Sequence, residues 1–323
     1  MAEEIARIGV YGDIHLNSKN YGAHRDYARE SIDYFSKITE ITEKRKLTHL
    51  IGCGDFSYGR FHSLEYRTQV EKNLQRQFEI TKGNRYELHG NHDSAGYGMT
   101  ELEYYVSKGL IKPSCNLTIG NLHITMVDYG KHNDVEANID DSESSFNFVI
   151  AHDFFKFAKT SVANFGKSIE LDNFSKWFGA DCLICGHVHK ILNFSGYILK
   201  GDMAHECQVH YLGCMTRPAY RDGLMDEVGQ VMVITVFDDG KVDFDIEVVK
   251  LWDIADSFNL EDKEAEFSKR EEKSTRVDIS DVVKQLDAHD RNVGNPEDII
   301  AELEDVEEKY KNKAIELLHN AGE

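Results

Sequence analysis

Nowhere does this 323-residue chain offer an apolar run approaching the ~20 residues that span a bilayer. Its start, MAEEIARIGV, carries acids where a secretory leader would carry bases ahead of a long apolar stretch. These absences exclude a helical membrane protein from the reading and lead to the expectation of a soluble, cytoplasmic one. Basic charge is also short: 37 Lys and Arg face 57 Asp and Glu, a formal net charge of −20, which argues against gripping nucleic acid by a broad basic surface. Half of that negative charge lies in the 70 residues from Ile254 onward. Cysteine is scattered rather than patterned, at Cys53, Cys115, Cys182, Cys185, Cys207 and Cys214. Without a leader these read as reduced thiols. Cys182 and Cys185 form a C-x-x-C, but no second pair exists to complete a zinc site, and DCLICG reads as a buried strand.

What is present is a regular alternation. With 41% hydrophobic residues the chain has enough for one large core and an appendage. Up to about residue 190, apolar runs (ARIGVYG, THLIGCG, RYELHG) alternate with helix-period segments over 27–46 and 64–80. That order predicts β-α-β units and a largely parallel inner sheet. Gly120-Asn121 in LTIGNLHITMVDYG and Asp239-Gly240 in QVMVITVFDDGKVDFDIEVVKL each separate two apolar runs and predict β-hairpins. Two packed sheets with helices outside are expected over residues 1–252. From 253 to 323 the composition turns acidic and helix-forming. There Asn295-Pro296-Glu297-Asp298 reads as a helix start, and Ile299, Leu303, Val306, Tyr310, Ala314 and Leu317 form an apolar stripe.

Five short polar motifs each follow an apolar run: Gly12-Asp13-Ile14-His15, Gly54-Asp55, Gly90-Asn91-His92-Asp93, Ala151-His152-Asp153 and Gly186-His187-Val188-His189. Asp13 and His15, two apart in extended chain, point to the same side. Any one motif is weak, since a histidine after a strand is usually a hydrogen-bonded structural residue and G-D is a common turn. Together they supply carboxylate, imidazole and amide oxygen, the donors that a pair of divalent ions needs, with a carboxylate to bridge them.

In this order the motifs resemble the calcineurin-like metallophosphoesterase superfamily, whose D-x-H, G-D, G-N-H-D, H and G-H-x-H pattern is matched over residues 8–190. The resemblance implies a four-layer α/β/β/α sandwich, here followed by the C-terminal helical extension. It also implies a dinuclear site: one ion on Asp13, His15, Asp55 and His189, the other on Asp55, Asn91, His152 and His187, with Asp55 bridging. A water activated between the ions would attack phosphorus. His92 would stabilise the transition state or protonate the leaving oxygen, oriented by Asp93. Manganese is the expected metal, with Mg2+, Fe2+ or Zn2+ as alternatives.

GDFSYGR and GNHD depart from the G-D-x-V-D-R-G and G-N-H-E of phosphoprotein phosphatases. GDIHL, GNHD, GHVH and then HYLGCMTRPAYRDG before a final hairpin are more similar to the SbcD-type nuclease subunits of recombination and double-strand-break repair, compact bacteriophage forms among them. That likeness implies DNA as substrate, cleaved as exonuclease or endonuclease, and an SMC-like ATPase bound through the C-terminal stripe, the alternative being a stripe that packs back on its own domain; a homodimer is a further partner expectation. Those nucleases place a histidine where this chain has Tyr58, so His62 or Arg60 is expected to take over its phosphate contact. Lys19, Arg217 and Arg221, with Tyr21 and Tyr220 as stacking faces, complete the candidate substrate contacts. The competing readings are a phosphoesterase of small phosphomonoesters or cyclic nucleotides, and a scaffold without catalysis; nine polar residues at strand ends speak against the scaffold.

Overall fold

The computed structural model describes residues 2–20, 24–93, 98–140, 142, 144–160, 168–217, 228–250 and 252–259. Two six-stranded sheets carry the fold. In the first, the chain runs through β1 (Glu4–Tyr11), α1 (Tyr27–Lys44), β2 (His49–Gly52), α2 (Leu64–Ile80), β3 (Arg85–Glu87), α3 (Glu101–Ser107) and β4 (Lys112–Pro113). β1 to β4 lie side by side and parallel, as the alternation of runs predicts. β5 (Asn116–Ile119), β6 (Leu122–Val127), β7 (Phe146–Ala151), β10 (Cys182–Cys185), β11 (Ile191–Lys200) and β12 (Met203–Leu212) build the second sheet, whose central β6, β7, β10 and β12 are again parallel. A small pair, β8 (Phe155–Lys156) and β9 (Ile169–Glu170), stands apart. The hairpin of β13 (Val228–Phe237) and β14 (Val242–Lys250) returns to the first sheet, antiparallel to β1.

Packing follows from the faces of these strands. Ile8 and Val10 of β1 meet Ile124, Phe148, Ile150 and Ile184 between the sheets. Tyr11, Leu50 and Val231 face the helices, where Phe35 and Ile38 of α1 meet Val70 and Leu74 of α2. Each helix starts on a cap that its sequence supplies: Asp26 accepts from the Arg29 amide, Ser63 from the Tyr66 amide, and Thr100 with Glu103 makes a reciprocal capping box. Within the helix layer, Arg85 and Glu87 form a fully buried ion pair at 2.6 Å, and the Tyr11 hydroxyl donates to the same Glu87 oxygen at 2.6 Å.

Two details of the described residues go beyond the sequence expectation. The layer over the outer face of the second sheet, where Phe155, Phe157, Leu171 and Trp177 pack on Val149, Leu183 and Tyr211, consists among the described residues of a 3-10 turn (Ser175–Trp177), the β8/β9 pair and irregular chain, rather than α-helix. The ten-residue strands β11 and β12 form a hairpin about Gly201-Asp202 that the apolar pattern marks poorly, because Gly196 falls where the alternation begun by Leu192 and Phe194 calls for an apolar residue. The described chain continues past Trp252 as far as Asn259. Helix α4 (Ile254–Ser257) and the fully buried Phe258 return to α1: the Arg25 amide donates to Ser257 O at 2.9 Å, and the Phe258 ring lies 4.2 Å from that of His24. The rest of the extension, with the Ile299 to Leu317 stripe, falls outside the described residues.

This return contains a titratable group with a readable sign. Glu30 of α1 is fully buried and accepts from the Ser257 hydroxyl at 3.1 Å; burial pushes its carboxyl up to about 7 from an ordinary 4.5. The folded protein therefore retains a proton that the unfolded chain loses. The associated stability is complete below about pH 4.5 and is lost as the pH rises through about 7. Relative to Glu30→Gln, the parent protein should lose up to about 3 kcal/mol across that window, at ~1.4 kcal/mol per pH unit. Denaturant midpoints that run parallel for the two proteins from pH 4.5 to 7 would contradict this.

Candidate metal centre

All five motifs emerge at the carboxyl ends of parallel strands. Asp13 and His15 follow β1, Asp55 follows β2, and Asn91 and His92 follow β3 of the first sheet; His152 follows β7, and His187 and His189 follow β10 of the second. The two sheets thus meet at one rim, the place where open α/β sheets accept ligands. Backbone hydrogen bonds fix the loops against each other: the His15 amide donates to Asp55 O at 2.8 Å, and the Met215 amide to Asp13 O at 2.7 Å. His15, Asp55 and His187 have φ of 48°, 51° and 75°, three of the five non-glycine residues with positive φ among those described. This left-handed conformation costs energy for a side chain with a Cβ, and here it recurs where side chains must turn into the rim. The motif glycines are required by close approach. A Cβ on Gly90 would sit 2.1 Å from an Asp55 carboxylate oxygen, and one on Gly186 would sit 2.4 Å from an Asp13 oxygen.

The seven expected ligand residues converge. Asp13, His15, Asp55 and His189 offer ligand atoms all within 4.8 Å of one another. His15 Nε2 and His189 Nε2 stand 2.9 Å apart, and His15 Nε2 is 3.7 Å from Asp55 Oδ2. On the other side of Asp55, His152 Nε2 lies 3.3 Å from the same Oδ2 and 3.1 Å from Asn91 Oδ1, which His187 Nδ1 approaches to 2.9 Å. One Asp55 oxygen therefore faces Nε2 of a histidine in each group, whereas Asp13 approaches His152 at its other nitrogen, Nδ1, at 3.7 Å. Asp13, His15, Asp55 and His152 are buried, while Asn91, His92, His187 and His189 are partly exposed, so the cluster opens along one edge.

Residues 6–191, more than half of the chain, match the calcineurin-like phosphoesterase family. The chain belongs to this family. No curated protein matches it. Among solved structures, a dimetal phosphatase from Danio rerio aligns over 77% of this chain and 100% of its own, at 10% identity and a TM-score of 0.40.

For a calcineurin-like phosphoesterase, a family that typically binds two divalent metals, the donor set fits. Two carboxylates, four imidazoles and an amide oxygen suit borderline divalent ions. The electrostatics also call for cations. Burial pushes Asp13 up to about 7, with His152 pulling it down and Asp55 adding to the rise. Burial would raise Asp55 too, yet His152 and His15 outweigh it and hold that carboxyl far below the usual range. His152 in turn is raised to about 10: burial opposes its charge, and the two carboxylates more than restore it. The pull of the two carboxylates on His152 marks this position as one that favours positive charge. The fully buried His15 leaves Nδ1 without a hydrogen-bond partner.

Asp93, expected to orient His92, spends its hydrogen bonds on backbone amides. Its buried carboxylate accepts from the Phe56, Ser57 and Gly90 amides at 3.1, 2.9 and 3.0 Å, and burial with the nearby Asp55 pushes it up to about 7. It clamps the Asp55 loop to the Asn91 loop. His92 instead stacks on Tyr58, with ring centroids 4.5 Å apart, and its amide donates to Asp55 Oδ1 at 2.8 Å. Arg217 fails as a substrate contact: it is 2% exposed, and its guanidinium donates to Trp252 O and the Ser257 hydroxyl, tying the loop after β12 to α4. Arg60, His62 and Lys19 are exposed; Arg221, Tyr21 and Tyr220 lie outside the described residues. Sequence reading missed Tyr129, an exposed ring 5.6 Å from His187, and His132, which contacts Asp153 at 2.9 Å. Both fall in the loop after β6, which carries none of the five motifs.

The clamp is testable by stability alone. Asp93→Ala would leave three buried backbone amides without acceptors, at ~1–3 kcal/mol each, and should destabilise the fold by about 3 kcal/mol or more. An unchanged denaturant midpoint would return Asp93 to an orienting role.

Proposed function

We propose that this calcineurin-like phosphoesterase is a Mn2+-dependent DNA nuclease of recombination or repair. The observation that carries the reading is the position of the Asp55 carboxylate between two ligand groups. Asp13, His15 and His189 would complete one ion position, and Asn91, His152 and His187 the other. When bound, the two ions supply the charge that neutralises a phosphoester and the acidity that makes a water nucleophilic near neutral pH. The chain's own residues do the rest. Asp13 is held by the His187 amide at 2.9 Å, and His152 is steered by Cys53 O at 2.7 Å, so both enter the site preorientated. His92 stands outside both ligand groups, partly exposed and packed against Tyr58. It is suited to protonate the leaving oxygen.

A nucleic-acid substrate is supported by the order of chain beyond the metal motifs. β12 ends in the Leu212-Gly213-Cys214 turn and the β13–β14 hairpin follows, as in the SbcD-type likeness. Tyr129 beside His187 offers a stacking face at the open edge, and the exposed Arg60 and His62 supply local bases on an otherwise acidic protein. An SMC-like ATPase partner belongs to the same proposal.

Asp55→Asn should lose bound manganese as well as hydrolysis, since a neutral amide cannot balance two cations; two ions per chain in that variant, by elemental analysis, would refute the bridge. His92→Ala should keep both ions and turn over roughly 10²-fold more slowly, and unchanged turnover would remove it from the chemistry. The substrate is tested with the purified protein and Mn2+ on end-labelled DNA beside p-nitrophenyl phosphate and a cyclic nucleotide. Degradation of DNA with weak monoesterase activity is expected. Efficient hydrolysis of a small ester and no cleavage of single- or double-stranded DNA would overturn the nuclease reading in favour of a small-molecule phosphoesterase.

A further inference from the structure

Beside the first ion position stands a side chain that the phosphoester chemistry does not use. Cys214, in the turn after β12, is buried, and its thiol donates to Asp13 O at 3.3 Å. Its Sγ joins His15 and His189 in a group whose ligand atoms all lie within 4.8 Å of one another. A second group of the same tightness contains His15 and His189 with the Asp13 and Asp55 carboxylates and does not contain Cys214. The two imidazoles are thus shared between an oxygen-rich set and a sulfur-bearing set. Their Nε2 atoms face each other at 2.9 Å, a distance at which only one can carry a proton, and the fully buried His15 still has Nδ1 without a partner.

We propose that His15, His189 and Cys214 form an alternative site for a thiophilic divalent ion, Zn2+ or Cd2+, that competes with the first catalytic ion. Hard ions prefer the carboxylates, and softer ones gain from a thiolate. On binding, the thiol gives up its hydrogen bond to Asp13 O and its proton passes to solvent, so the ion meets one thiolate and two neutral imidazoles. An ion held there draws on both histidines without the Asp55 carboxylate. It therefore withdraws ligands from the bridged pair and disables hydrolysis. The proposal rests on the metal centre described above, and its test does not depend on activity.

The probe is Cd2+ titrated into the full chain, read by thiolate-to-cadmium charge-transfer absorption in the ultraviolet. Cys115 is the exposed cysteine among the described residues, so the titration is made in a Cys115→Ser background, where Cys53, Cys182, Cys185 and Cys207 are buried. A band saturating near one equivalent is expected, absent when Cys214→Ser is added. His189→Ala, at a partly exposed position, should weaken Cd2+ binding by about 10-fold or more and guards against a Cys214 variant that does not fold. Asp55→Asn should retain the band even though it loses manganese. No band in the Cys115→Ser protein, an equal band after Cys214→Ser, unchanged affinity in His189→Ala, or loss of the band in Asp55→Asn would each overturn the proposal. Mn2+-dependent hydrolysis measured on an aliquot of the same preparation before any Cd2+ is added separates the two readings: hydrolysis in that aliquot and no band on titration removes this site alone, and a band on titration with no hydrolysis in the cadmium-free aliquot removes the proposed function alone.

Discussion

Two carboxylates, Asp13 and Asp55, are forced into the same water-poor space, one fully buried and the other 1% exposed. Their mutual repulsion is the constraint around which the rim is built. Removing two like charges from water is costly unless positive charge or hydrogen-bond donors replace the solvent. The fold provides both. His152 lies 3.7 Å from Asp13 Oδ1 and 3.3 Å from Asp55 Oδ2, and the amides of His187 and His92 donate to the two carboxylates. What remains uncompensated is what a pair of divalent cations would supply, and this is why the same residues read as a metal centre.

The sheets exist in a form that serves this convergence. Each has a parallel centre whose strands end on the same side, so the first sheet delivers Asp13, His15, Asp55 and Asn91 while the second delivers His152, His187 and His189. The inter-sheet core of Ile8, Val10, Ile150 and Ile184 fixes the strands directly behind those residues. The Asp93 clamp joins two of the loops within the first sheet, and the Met215 to Asp13 backbone bond joins the loop after β12 to the first motif. A shift of either loop would move Asp55 relative to its histidines, so packing and clamp together set the ligand geometry.

Much of this was legible in the residues. Strand-end motifs carry their own signal, since a glycine beside an acid or histidine after an apolar run has a positional meaning, and the seven expected ligand residues do come together. The parallel order and both marked hairpins could be read because their apolar periods are clean. The rest was hidden for physical reasons. Arg217 reads as a surface base from its polar neighbours, yet it is buried because α4 folds back over it, a long-range contact that no local pattern encodes. Asp93 reads as an orienting acid from its place beside His92, but its three amide donors come partly from the Asp55 loop, far away in sequence. Cys214 lies outside the matched motifs and gains its position only when β12 pairs with β10.

The central claim is that Asp55 stands between two metal ions, and the most direct test is anomalous diffraction from a manganese-soaked crystal of the full chain. Two peaks about 3.5–4 Å apart are expected, one beside Asp13, His15 and His189 and the other beside Asn91, His152 and His187, with the Asp55 carboxylate between them. A single peak, or two peaks of which neither contacts Asp55, would contradict the account.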